Sequence, residues 1–175
     1  MNKSKTYFPA MTIALLFAVT VQAADNVSIN VTGRVVASAC STVNGGKNTL
    51  DVDLGTNIGA ADLATPGSGS AMKTFELPLT GCPSGTNNIK VTFSGTADTT
   101  TNSRWKNTAA TPAANTSVEL SAQGTGVILS NGSTLTTPVV DGAASFKLQA
   151  RAYSSVGSAT PGDISSVIVA SIEYQ

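Results

Sequence analysis

From Gly162 to the C-terminal Gln175 the sequence alternates with a period of two, which dictates an extended strand rather than a helix. Ile164, Ile168, Ala170, Ile172 and Tyr174 fall on one face, broken only by Ser166; Val167, Val169, Ser171 and Glu173 fall on the other. A second clean alternation lies near the start, over residues 24–39. There Val27, Ile29, Val31, Gly33 and Val35 point one way, and Ser28, Asn30, Thr32 and Arg34 the other. Gly33 leaves a gap in the apolar face, which suits a close backbone approach or a shallow pocket. Strands this regular must be paired, because an open edge invites aggregation. The early one either serves as the domain's own first strand or pairs with a neighbouring molecule.

Residues 1–23 read as a secretory signal peptide. Lys3 and Lys5 supply the positive start, residues 11–21 a short apolar core, and Val21-Gln22-Ala23 the small residues before a cleavage site. The apolar run is too short for a membrane span, which needs about 20 residues. Export is therefore expected, with a mature chain starting at Ala24.

The charges of the remaining chain are sparse and slightly acidic, with no basic stripe for nucleic acid and no cationic helix for a lipid surface. Its length suits one domain. Cys40 and Cys82 are the only cysteines. In an exported chain an even pair predicts a disulfide rather than a metal site, which would want more ligands than a chain without histidine provides.

Thr, Ser, Val, Gly and Asn dominate the body, and short alternating runs recur between turn signals, so the chain is expected to be all-β. Strands are predicted over residues 27–36, 75–79, 89–93, 117–120, 126–129, 145–153 and 164–174, with residues 51–55 as a further short candidate. Turns are marked by Asn44-Gly45-Gly46, Pro66-Gly67, Pro83-Ser84-Gly85, Asn131-Gly132 and Pro161-Gly162. About seven short strands suggest an immunoglobulin-like sandwich. Residues 56–72 and 96–114 read as long loops or weak edge strands.

Chemistry is sparse. Without histidine the chain lacks the usual general base and the commonest metal ligand. There is no Gly-x-Ser-x-Gly elbow and no phosphate loop, and no cofactor is expected. Asp51 and Asp53 share a face and are conceivable as a calcium or carboxylate pair, although a solvated strand face is the plainer reading. Asn26, Asn30, Asn115 and Asn131 begin Asn-x-Ser/Thr triplets, which a Ser/Thr-rich chain generates by chance. Trp105, between Arg104 and Lys106, invites a sugar-stacking reading beside the plainer one that it covers a gap at the sandwich edge. Nothing in the pattern argues for an enzyme.

Several motifs taken in order resemble the subunits of chaperone–usher (type 1) fimbriae. They are the leader, the alternating extension before Cys40, Phe75-x-Leu77-x-Leu79-x-x-Cys82, Val91-Thr92-Phe93-Ser94-Gly95-Thr96-Ala97, and Phe146-x-Leu148-Gln149-Ala150-Arg151. Gly162, fourteenth from the end, and the penultimate Tyr174 complete the set. The extension and the block from Val91 look closest to minor adapter subunits that join tip to rod, while residues 56–72 match the family poorly.

That resemblance implies an incomplete immunoglobulin-like sandwich lacking its last strand and completed by donor-strand exchange. Residues 24–39 would be the donor extension and residues 40–175 the pilin domain. Val27, Ile29, Val31, Gly33 and Val35 would enter a neighbour's groove. Gly162, Ile164, Ile168, Ile172 and Tyr174 would border this subunit's own groove, with the carboxylate of Gln175 anchored by a periplasmic chaperone. The implied partners are that chaperone, an outer-membrane usher and neighbouring pilins; no nucleic acid and no direct membrane insertion are expected. The implied destination is the surface fimbrium of a Gram-negative bacterium, reached through the periplasm. Three alternatives stand beside a minor adapter supporting adhesion: a major rod pilin, a carbohydrate-binding tip adhesin using Trp105, and a self-contained secreted sandwich.

Overall fold

The computed structural model describes residues 27–175; the expected signal peptide lies outside them. Nine strands follow one another: β1 (Thr42–Val43), β2 (Ser68–Gly69), β3 (Lys73–Thr80), β4 (Asn88–Gly95), β5 (Trp105–Lys106), β6 (Ser117–Ala122), β7 (Thr134–Pro138), β8 (Ala143–Ser154) and β9 (Ile168–Tyr174). All strand pairs are antiparallel. One sheet has the order β1-β3-β8-β6-β5, with β2 on the far end of β8; the other is β7-β4-β9.

Alternation sets the core. Leu77 and Leu79 of β3, Ile89, Val91 and Phe93 of β4, and Phe146 and Leu148 of β8 point inward and are buried. Each such side chain stabilises the fold by roughly 1.5–3 kcal/mol. The larger sheet is also covered on its outer face around Glu119, which is 2% exposed and paired with Arg104 Nη2 at 2.6 Å and Arg151 Nε at 3.0 Å. Both guanidinium groups lie over the Tyr153 ring, at 4.4 and 5.6 Å from its centroid. A buried carboxylate is tolerated there because its charge is matched. Cys40 and Cys82 form the disulfide, S–S 2.03 Å, tying the residues before β1 to the end of β3.

Several sequence expectations need correction. Residues 27–36 form no strand, and their apolar side chains are exposed, Val31 at 89% and Val35 at 99%. Residues 51–55 pair with nothing either, although Val52 and Leu54 are half-buried between exposed neighbours. Residues 126–129 make only a hairpin bridge between Ser121 and Ile128, because Gly124 and Gly126 turn the chain at positive φ. The C-terminal strand starts at Ile168 instead of Ile164. β7 was not anticipated: its Thr-Leu-Thr-Thr-Pro run buries little, as an edge strand does. Residues 56–72 and 96–114 carry the short β2, a single-turn helix at Ala60–Leu63, and β5.

The architecture is all-β, an immunoglobulin-like pair of sheets left open along β9.

Candidate functional site

Among the described residues β9 pairs with β4 alone, so one of its edges has no strand partner there. Its free backbone groups follow from the ladder. Gln175 N–H donates to Asn88 O at 2.9 Å, and Asn88 N–H donates to Gln175 O at 2.9 Å. Bonded pairs recur at every second residue of an antiparallel ladder. Glu173, Ser171 and Val169 therefore also turn their N–H and C=O toward β4, and Tyr174, Ile172, Ala170 and Ile168 turn theirs to the open side.

The same even-numbered residues aim their side chains at the core, yet they are only half-buried. Their partners on β4 contrast sharply: Ile89 and Val91 are 0% exposed and Phe93 2%. One sheet edge thus combines an unsatisfied backbone with an incompletely covered apolar row, the two needs that an added strand meets together. On the outward face Val167 and Val169 are exposed, and Glu173 meets Lys90 Nζ at 2.6 Å across the ladder. Hydrogen bonds donated by Lys90 and then by Gln175, with the Lys90 charge, hold the Glu173 carboxyl below its ordinary value of about 4.5.

Of the residues singled out from the sequence, Ile164, Ile168, Ile172 and Tyr174 lie together on this row, with Ala170. Gly162 lies away from the β9 ladder. Its backbone passes so close to the loop beyond β5 that a Cβ would stand 2.5 Å from Ala113 N, so only glycine fits. Gln175 O also accepts from Asn87 N–H at 2.7 Å, so that oxygen is already held within the chain. Among the candidate donor residues, Val27, Ile29 and Val31 are 83%, 84% and 89% exposed, and Gly33 has no atom near its would-be Cβ.

Trp105 is not a surface platform. It is 0% exposed, donates from Nε1 to Leu129 O at 2.8 Å, and packs its ring on Gly95. The sugar-platform reading gives way, while the plainer one agrees with the structure: Trp105 stands on β5, the last strand of its sheet, and closes that end of the core. Asp51 and Asp53 are exposed; Asp53 Oδ1 accepts from the N–H of Gly55, an ordinary turn. Among the described residues no cluster of three or more metal-ligating side chains occurs.

Sequence reasoning missed Asn107. It is buried, and its amide joins the loop after β5 to the chain entering β9. A single polar residue in a stretch of Thr, Ala and Asn carries no signal of that role.

Comparison with known proteins agrees with this geometry. Residues 29–175 match the fimbrial protein family. The chain is 40% identical to Protein FimG of Escherichia coli (strain K12), over 93% of this chain and 92% of that one. It is 37% identical to the S-fimbrial adhesin protein SfaS of Escherichia coli O6:K15:H31 (strain 536 / UPEC), over 98% and 99%. The crystal structure of the P pilus rod subunit PapA shares the fold, with a TM-score of 0.63 and 19% identity over 79% of this chain and 100% of that one. With a match spanning nearly all the described residues and a sandwich open at one sheet edge, the chain belongs to the fimbrial protein family and is a structural subunit of a pilus.

Proposed function

We propose that this chain is a minor adapter subunit of a chaperone–usher pilus that supports adhesion, polymerising by donor-strand complementation. The observation that carries the reading is the open edge of β9, with half-buried Ile168, Ala170, Ile172 and Tyr174 beside unpaired backbone groups. A neighbour's extension supplies the missing strand there. This chain's own residues 24–39 act as donor to the next subunit, inserting Val27, Ile29, Val31, Gly33 and Val35. Their exposure and alternation support that role. Likeness to FimG over nearly the whole chain supports a minor rather than a rod subunit, and likeness to SfaS supports service in an adhesive pilus.

Before assembly, a periplasmic chaperone covers the β9 edge, bordered by Ile164, Ile168, Ile172 and Tyr174 and ending at Gln175. An outer-membrane usher is where donor replaces chaperone. The leader over residues 1–23 routes the chain to the periplasm. With these roles the subunit needs no catalytic residue.

Two substitutions test the assignment of the ends. Val31→Asp places a carboxylate among apolar groove residues and is expected to stop donation to the next subunit while chaperone co-purification persists. Tyr174→Ser is expected to reduce chaperone co-purification. Reversed phenotypes, or fibres assembling normally without residues 24–39, would overturn the reading.

A further inference from the structure

The ladder between β4 and β9 reaches only as far as the Gly95–Ile168 pair. Its open side therefore offers four acceptor positions: Tyr174, Ile172, Ala170 and Ile168. The alternating extension has five inward positions, Val27, Ile29, Val31, Gly33 and Val35. Laid antiparallel with Val27 beside Tyr174, the fifth, Val35, falls opposite Ser166, beyond the reach of β4.

Asn107 and its loop hold that stretch. Asn107 Nδ2 donates to Asp163 O at 2.8 Å and to Thr116 Oγ1 at 2.9 Å, while its Oδ1 accepts from Ser165 N–H and Ala109 N–H, both at 3.1 Å. The neighbouring backbone adds Thr108 N–H to Ser165 O at 2.8 Å, Ala113 N–H to Asp163 O at 3.0 Å and Asp163 N–H to Thr111 O at 2.8 Å. Those of these bonds that reach the segment before β9 all use Asp163 or Ser165, while the bonds to Thr116 and from Ala109 hold the Asn107 amide in its own loop. The intervening Ile164, and Ser166 after it, make no backbone bond to the loop, so the even-odd division of β9 continues upstream.

We infer that Asn107 is a positioning residue of the strand-acceptor edge: by gripping Asp163 and Ser165 it presents Ser166 as the acceptor for the fifth donor position. The inference rests on the strand-acceptor reading above. Asn107 does not touch the incoming strand. It acts through the backbone of the segment leading into β9, taking the place β4 holds further on. Because Asn107 is itself buried, its amide is fixed by the surrounding carbonyls and hydroxyl, and the clamp is rigid.

The test uses the full chain carrying, after Gln175, a short Gly/Ser linker and a second copy of residues 27–39. So short a connection permits only antiparallel pairing with β9. Amide hydrogen exchange is measured residue by residue. In the unsubstituted fusion, protection of Ile168, Ala170 and Ile172 relative to the chain without the appended strand is expected. Its absence would defeat the groove reading itself, independently of Asn107. Given that protection, Asn107→Ala is expected to raise exchange at Ser166 about 50-fold while Ala170 and Ile172 change by less than about threefold.

Asn107→Asp keeps an acceptor for Ser165 N–H but loses the donation to Asp163 O. It should restore part of the protection at Ser166, and it provides the reading if the alanine variant does not fold. Unchanged exchange at Ser166, a uniform rise along β9, or global unfolding of both variants would each overturn the inference.

Discussion

Replacing Val31 by Ala in the appended strand of the completed chain isolates one groove contact. In the uncompleted chain Val31 is 89% exposed, so the substitution there removes little. In the completed chain the side chain is expected to enter the row formed by Ile168, Ala170 and Ile172. Removing two methyl-sized groups from that site forfeits about 0.8 kcal/mol each. Incomplete collapse of the space left behind brings the loss to about 2 kcal/mol. For a domain of this length a kcal/mol corresponds to about 2–4 °C in Tm, so the expected drop is about 4–8 °C by calorimetry. Two controls share the assay. Thr32→Ser in the same appended strand faces outward and is expected to stay within about 0.5 kcal/mol. Val31→Ala in the N-terminal copy is expected to leave Tm unchanged. Equal drops for the Val31 and Thr32 substitutions would refute the argument, because they would mean that the strand does not present alternate faces to the groove.

Replacing Cys40 and Cys82 together by Ser opens a loop with a sequence separation of 42. In the chain-entropy picture this costs about 4 kcal/mol, to be read by chemical denaturation of the completed chain. Glu173 should titrate below the ordinary 4.5, since the hydrogen bond from Lys90, then that from Gln175, then the Lys90 charge all favour its ionised form. With the folded value depressed, its stabilising contribution is present above the unfolded value and is lost as pH falls through the folded one. Lys90→Met should return the carboxyl toward 4.5 in an NMR titration.

The long alternating runs were legible because the period of two survives wherever one face is buried. Residues 75–79, 89–93 and 145–153 became β3, β4 and β8. The terminal strand was legible too, and with it most of the groove row, since Ile168, Ile172 and Tyr174 lie where alternation puts them. Residues 27–36 show the limit of the method. Their alternation predicts a strand, and the chain by itself forms none there, which is what the proposed donor role requires. The completeness of the burial of Trp105 and the role of Asn107 were opaque for a different reason. The burial of Trp105 depends on Gly95 and Leu129, and the clamp of Asn107 on Asp163 and Ser165, contacts distant along the chain that no local pattern records.

Under the proposed donor-strand assembly, the bridge between Cys40 and Cys82 would set how tension runs through the fibre. A pull on residues 24–39, once gripped by a neighbour, enters the domain at Cys40 and crosses the sulfurs directly to Cys82. From there a short connection leads into β4, whose ladder to β9 would meet the strand proposed to be donated from the other side. The load therefore bypasses β1 and β3, and falls lengthwise on a ladder whose bonds must shear together.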